Sequence, residues 1–104
     1  MKVPTTTWIH VFEQDTAEGA VFRPEDADIP LSRRPRDRFE LHADGKAVLL
    51  VPGPQDGYLP QPASWTEEGD TVVVRDARGA IRLRIVHQSR DRLVVEMFRP
   101  ERSH

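Results

Sequence analysis

Three internal histidines, His10, His42 and His87, are the side chains of this sequence best suited to bind a metal ion or transfer a proton. A zinc site needs three or four converging ligands, and the sequence has no cysteine to supply a thiolate. His10 and His87 share strand parity with apolar neighbours, so both are expected to face inward. We interpret them as core or rim histidines held by hydrogen bonds, and we predict no metal site.

The densest charge cluster is Ser32-Arg33-Arg34-Pro35-Arg36-Asp37-Arg38. Its guanidinium groups suit phosphate or carboxylate oxygens, which favours a clamp for an anionic ligand. The cluster also follows directly after the acids Glu25, Asp26 and Asp28, which favours a solvated loop whose charges pair with one another. Both interpretations stay open. Arginine outnumbers lysine 13 to 2, but the net charge is −2, so neither a nucleic acid nor a membrane is expected as a partner.

Catalytic patterns are missing. No serine or threonine lies in a glycine elbow, no glycine-rich phosphate loop occurs, and the acid pair Glu67-Glu68 falls on a predicted turn that faces water. We therefore expect a non-catalytic protein that uses no cofactor. The lack of cysteine, of an apolar leader and of any run of membrane-span length favours a cytoplasmic location.

The elements that must position these residues are short strands. From Trp65 to Phe98, turns over 67–70, 76–79 and 88–90 predict three antiparallel hairpins whose apolar residues share one face. The predicted facing pairs are Trp65–Val72, Val74–Ile81 and Ile85–Leu93, with Arg82 opposite Glu96 on the other face. That other face also carries Val73, Val94 and Phe98. They predict an apolar stripe for a homodimer or partner, unless the N-terminal segment or the 24–35 connection covers it.

Earlier in the chain, Trp8 to Phe12 and Ala20 to Arg23 are predicted strands, and Asp44-Gly45 marks a hairpin. A two-residue turn there sets Phe39 opposite Leu50, whereas a three-residue turn with a glycine bulge sets it opposite Leu49. We favour the bulged turn. Pro60 and Pro62 remove two N–H donors from one side of a strand, so an unpaired side is expected where that strand meets residues 46–51.

The pattern as a whole predicts an all-β fold and a single domain over residues 1–104. About eight short strands in an antiparallel up-and-down meander would form a small barrel by closing the last strand on the first. The predicted core is apolar and inward-facing, and comprises Trp8, Phe12, Phe39, Leu41, Leu49, Trp65, Val72, Val74, Ile81, Leu83, Ile85, Leu93, Val95 and Met97.

Several motifs carry a family resemblance: Thr7-Trp8, Phe39-x-Leu41-x-Ala43-Asp44-Gly45, Trp65-Thr66 before Gly69-Asp70-x-Val72-x-Val74, and Asp91-x-Leu93-Val94-Val95. Together they resemble the lipocalin-like, or calycin, barrels, in particular the small bacterial lipocalin-like domains. One departure is Thr6, where that family usually has the glycine of Gly-x-Trp. The resemblance implies the barrel fold and ligand binding, and it implies that Arg99 packs over Trp8.

Two hypotheses for function follow. The first is a non-catalytic barrel that binds a small apolar or anionic molecule, with Trp8, His10, Tyr58 and Trp65 lining the pocket and Arg33 or Arg34 closing over it. The alternative is a protein–protein interaction or structural module that uses the outer face, or the strand edge beside Pro60. The interior distinguishes them, because a core without a cavity would exclude the first hypothesis.

Overall fold

Eight antiparallel strands form a closed barrel in the computed structural model, which describes residues 5–53 and 57–98. The strands are β1 (Thr7–His10), β2 (Ala20–Pro24), β3 (Arg38–Leu41), β4 (Lys46–Pro52), β5 (Tyr58–Glu68), β6 (Thr71–Asp76), β7 (Ile81–Gln88) and β8 (Leu93–Met97), with a short 3-10 helix at Phe12–Gln14. The all-β barrel predicted from the sequence is confirmed. The expected packing of Arg99 over Trp8 lies outside the described residues.

The barrel closes differently from the simple meander. The strand order is β1-β2-β8-β7-β6-β5-β4-β3, so β8 pairs with β2, and β1 lies between β2 and β3. Val21 faces Val94 at the first of these contacts, and Trp8 faces both Pro24 and Phe39 at the others. The predicted pairing of the last strand with the first is therefore wrong.

Inserting β1 between β2 and β3 requires a long connection, residues 25–37, which we call the strap. It begins where the Glu25 N–H donates to the Thr7 carbonyl (3.0 Å) and ends where the His10 N–H donates to the Asp37 carbonyl (2.9 Å), so it follows the length of β1. Ile9 points outward between two inward-facing residues, yet it is buried. The strap shields this apolar side chain from water.

The β3–β4 hairpin has the bulged register, with Phe39 opposite Leu49 and Leu41 opposite Ala47, as predicted. The three C-terminal hairpins keep the predicted faces at the pairs named next, but these pairs are displaced by two residues. Their observed pairs are Trp65–Val74, Val74–Leu83 and Ile85–Val95. In the β5–β6 hairpin the displacement arises at the turn, which is the two-residue Gly69-Asp70 rather than a four-residue loop. A slip of two residues leaves every side chain on its own face, so parity cannot detect it.

Bulges follow Val74 and Ile85, and two further predictions about β7 are wrong. Arg84, not Arg82, faces Glu96, with 3.4 Å between Arg84 Nη1 and Glu96 Oε1. Beyond the second bulge the strand parity inverts, so His87 lies exposed and pairs with Glu18 instead of facing the interior.

Strand β4 pairs with β5 along the whole length of β4, including Pro60 opposite Leu50 and Pro62 opposite Val48. The expected gap between these strands is therefore wrong. The Trp65 N–H donates to the Gly45 carbonyl on the β4 side, so the nitrogens of residues 60 and 62, which have the other parity, point away from β4. Pairing with β6 stops at Ala63, so the two missing donors fall where no strand needs them.

The core lies inside the barrel, and ten predicted members are buried: Trp8, Phe39, Leu41, Leu49, Val72, Val74, Leu83, Ile85, Leu93 and Val95. Phe12, Trp65 and Ile81 are only partly buried, and Met97 is exposed at the end of β8. Phe22 belongs to the core although the pattern did not select it. Its strand is only five residues long and offers little alternation to read.

Candidate ligand-binding cavity

A cavity of ≈ 670 Å³ lies at one mouth of the barrel, where β1, β4 and β8 end and β3 and β7 begin. Its deep wall is formed by four buried apolar side chains, Phe22, Phe39, Leu49 and Leu83. The other lining residues are of mixed character. Five are charged or polar, His10, Arg34, Asp37, Arg38 and Arg82, and six are apolar, Phe12, Pro35, Leu50, Val51, Met97 and Phe98. The cavity therefore combines an apolar floor with charged groups at its entrance.

Aromatic rings lead from the rim to the floor. Phe12 meets His10 edge to face (6.2 Å between ring centroids), His10 stacks on Phe22 (5.1 Å), and Phe22 packs against Phe39 (4.9 Å). The Asp15 carboxylate accepts from His10 Nε2 at 3.0 Å and also from the Val21 N–H at 2.9 Å. This pairing occupies Nε2 and fixes the imidazole, so the ring contributes a flat wall to the site.

Two rim arginines are held by aromatic rings. The Arg34 guanidinium carbon lies 4.5 Å from the centroid of Phe12, and that of Arg38 lies 4.8 Å from the centroid of Tyr58. A cation–π contact is not a hydrogen bond to an oxygen acceptor, so a guanidinium held in this way can still donate to an oxygen ligand. The buried Nε atom of Arg38 has no hydrogen-bond partner among the described residues, and the same is true of the Arg82 Nε.

Between Arg34 and Arg38, Arg36 fixes the strap to the barrel and is only 7% exposed. Its guanidinium donates to both Glu13 oxygens (2.8 and 2.7 Å) and to the carbonyls of His10 (3.1 Å) and Pro30 (2.8 Å). The Tyr58 hydroxyl donates to the Arg36 carbonyl at 2.8 Å. The hydrogen bonds from Arg36 lower the pKa of Glu13 from its usual 4.5 to about 2, so this carboxylate is ionised at neutral pH.

A second cavity, of ≈ 360 Å³, lies between the strap and the outer side of the barrel. Ile9, Ile29, Pro30 and Tyr58 contribute to its walls. Arg34, Pro35 and Arg38 line both cavities, so this end of the strap is the partition between them.

The structure separates the six residues predicted to bind a ligand. His10 and Arg34 line the mouth cavity. Trp8 is completely buried in the core, and Tyr58 lines the second cavity.

The remaining two lie elsewhere. Trp65 is near the opposite end of the barrel, where its Nε1–H donates to the His42 carbonyl at 2.7 Å. Arg33 is exposed and lines neither cavity. The roles of all six in binding stay predictions.

Sequence reasoning missed Arg38, Arg82, Phe22 and Phe39 as lining residues. Arg38 ends the charged cluster, which was a usable signal. Arg82 was assigned a partner on the outer face, and the barrel closure needed to place the phenylalanines was not readable from the pattern.

The outer stripe expected for a homodimer is largely covered. Val73 and Val94 are buried, while Phe98 remains partly exposed beside the Arg84 guanidinium, 5.4 Å from the ring centroid. Within residues 5–53 and 57–98, no three histidine, aspartate or glutamate side chains cluster in a way that could hold a metal ion. No helix in that part of the chain is long and apolar enough to cross a membrane.

Fold and site together define a closed, eight-stranded antiparallel β-barrel with a cavity at one mouth. Comparisons with protein-family models, with curated proteins and with solved structures found no match for this chain.

Proposed function

We propose that this protein is a non-catalytic, lipocalin-like barrel that binds a small molecule with a mainly apolar body in the mouth cavity. The observation that carries the proposal is the ≈ 670 Å³ cavity with its floor of buried apolar side chains. Its volume falls within the range of roughly 300–1,000 Å³ typical of small-molecule sites. Side chains can nearly fill an eight-stranded barrel, so open space of this size fits a ligand site better than a purely structural role.

The lipocalin-like motifs support the same proposal, because barrels of that kind bind ligands at an open end. The resemblance to small bacterial lipocalin-like domains implies a bacterial source, which we include in the proposal. A reducing cytoplasm remains our expectation for a chain without cysteine.

Native mass spectrometry of the freshly purified protein tests first for a co-purified molecule. Calorimetric titration with a series of n-alkanols then measures the apolar contribution. Each methylene that enters the cavity should lower Kd by up to about fourfold, until the chain reaches the floor. A Kd independent of chain length, or no binding of any alkanol, would exclude the proposal.

Filling the floor provides the matched mutational test. Leu83→Phe replaces an aliphatic side chain of the cavity wall with a larger aromatic ring, and it should weaken octanol binding by about tenfold or more. Leu59→Phe is the control, since Leu59 is half-exposed on β5 and lines neither cavity. If Leu83→Phe does not fold, Met97→Trp at the exposed rim replaces it. Equal octanol affinity in the filled variant and the control would argue against this cavity as the site.

The alternative, an interaction module, has one specific observation in its favour. Leu31 on the strap is fully exposed and Leu59 is 53% exposed, both of them large apolar side chains without cover. Light scattering over a concentration series, on the parent protein and on the Leu31→Ser/Leu59→Ser variant, tests for a homodimer. A mass equal to one chain at every concentration would count against self-association.

A further inference from the structure

We propose that the ligand of the mouth cavity is a carboxylate with one negative charge, and that Arg34 and Arg38 bind its head group. This inference rests on the proposed function and names the chemical class of its ligand. The arginines of the chain differ in whether a nearby carboxylate balances their charge.

Five described arginines have a carboxylate within ion-pair distance: Arg23, Arg36, Arg75, Arg82 and Arg84. Arg34 and Arg38, both on the cavity rim, have none in the described part of the chain and contact aromatic rings instead. Other described arginines without a carboxylate, such as Arg78 in the β6–β7 turn, line neither cavity. Unbalanced positive charge is therefore placed at the cavity by specific packing.

The ring contacts also hold both guanidinium groups beside the cavity. The guanidinium carbons of Arg34 and Arg38 lie 4.5 and 4.8 Å from the ring centroids of Phe12 and Tyr58, and a guanidinium offers forked N–H donors to oxygen ligands. The Nε of Arg38 is itself buried, so contact with a ligand in the cavity falls to the terminal Nη groups. Arg36 holds the strap between the two arginines, so both are presented from a fixed backbone.

The charge balance of the rim indicates a monoanion. Asp37 also lines the cavity and offsets one of the two free guanidinium charges, while Arg82 is shared with Asp76 at 3.7 Å. Among the arginine and aspartate side chains that line the cavity, with Asp76 counted against Arg82, one net positive charge remains to be matched. A carboxylate supplies one negative charge and two in-plane oxygens, whereas a phosphate monoester adds a second charge that would face Asp37.

The rest of the cavity indicates where the remainder of the ligand lies. The floor is apolar, so an acid bound at the rim would direct its hydrocarbon portion past His10 toward Phe22 and Phe39. The geometry therefore fits an amphiphilic acid, with its charge at the entrance and its apolar body inside.

Calorimetric titration of the full chain with octanoate, octanol, octylammonium and octyl phosphate tests the inference at neutral pH. Octanoate should bind about tenfold or more tightly than octanol, and octylammonium more weakly than either. Added salt should weaken octanoate binding and leave octanol binding nearly unchanged. If octanoate and octanol bind equally well, the inference fails and the proposed function stands. If neither binds, the proposed function fails. If octyl phosphate binds about tenfold tighter than octanoate, the monoanion assignment is wrong.

Substitutions assign the head-group contacts. Arg38→Met and Arg34→Met should each reduce the preference for octanoate over octanol by about tenfold, because each removes a charged donor. Arg78→Met removes a positive charge at the same end of the barrel without touching the cavity, and the preference should survive. The ratio of two affinities measured on the same variant separates lost recognition from a general loosening of the site. An unchanged ratio in both rim variants would overturn the assignment.

Discussion

Replacing Arg36 with methionine should weaken the attachment of the strap to the barrel. The Arg36 guanidinium is buried and makes four hydrogen bonds, to both oxygens of Glu13 and to the carbonyls of His10 and Pro30. Methionine retains an unbranched stem but none of the donors. The variant therefore leaves the Glu13 carboxylate and two backbone carbonyls without their partner.

The size of the effect follows from those contacts. Leaving buried polar partners unsatisfied costs about 1–3 kcal/mol in net stability. Water can reach the Glu13 carboxylate, which is 37% exposed, so the lower half of that range is expected. For a domain of this length, about 1–2 kcal/mol corresponds to a fall in Tm of roughly 4–16 °C.

Urea denaturation followed by far-ultraviolet circular dichroism measures the free energy of unfolding. The matched control is Arg75→Met, since Arg75 also binds a carboxylate at 2.8 Å but is 34% exposed. An exposed ion pair of this kind contributes less than about 1 kcal/mol. Losses of equal size in the two variants would refute the view that Arg36 is a special anchor.

The Arg36–Glu13 pair also predicts a pH dependence. Hydrogen bonds from Arg36 lower the pKa of Glu13 from 4.5 to about 2 in the folded protein. A lowered folded-state pKa means that the pair stabilises the fold fully above the unfolded-state pKa, and that this contribution is lost as pH falls toward 2. The stability gap between the parent protein and Glu13→Gln should therefore be constant above about pH 5 and shrink below pH 4.5. A gap that grows on acidification would contradict the sign.

Two further experiments test the barrel itself. Gly19→Ala should destabilise the barrel by about 1–3 kcal/mol, because a Cβ at this position would lie 2.6 Å from the Val95 carbonyl oxygen. Gly57→Ala is the control and should be nearly neutral, since a Cβ there would have no atom within 4 Å. Equal urea midpoints for the two variants would refute this prediction. A double-mutant cycle on Arg84 and Glu96 should give a coupling energy of about 0.2–1 kcal/mol, whereas a cycle on Arg82 and Glu96 should give almost none. The two results distinguish the observed β7–β8 register from the one predicted from the sequence, in which Arg82 faces Glu96.

The side of the sheet on which each residue lies could be predicted from the sequence, but the partner across each strand could not. Alternation of apolar and polar residues fixes the face of each side chain, and a displacement by two residues preserves that face. Trp65 therefore lies on the predicted face but is opposite Val74 rather than the predicted Val72. The turn chemistry of Gly69-Asp70 was the missing clue. The bulge after Ile85 left no mark in the pattern, so the inversion of His87 was unpredictable.

Pro60 and Pro62 lie where one side of β5 is unpaired, but it is the side away from β4 and not the predicted side toward β4. Missing donors at Pro60 and Pro62 did indicate a stretch of strand edge without a partner. Which side that was depends on the direction of neighbouring N–H groups, which the Trp65–Gly45 hydrogen bond reveals. Composition alone carries no information about that direction.

The candidate site depends on the position of β1 between β2 and β3, which could not be predicted from the sequence. In a simple meander, β2 and β3 would be antiparallel neighbours joined by a loop at the end of the barrel away from the cavity. Because β1 lies between them and is antiparallel to both, β2 and β3 run in the same direction. The strap must then travel the length of the barrel, and it brings Arg34, Arg36 and Arg38 to the cavity mouth. The position of β1 thus explains both the covered Ile9 and the charged rim, so a structure in which β8 paired with β1 would remove the proposed anion site along with the strap.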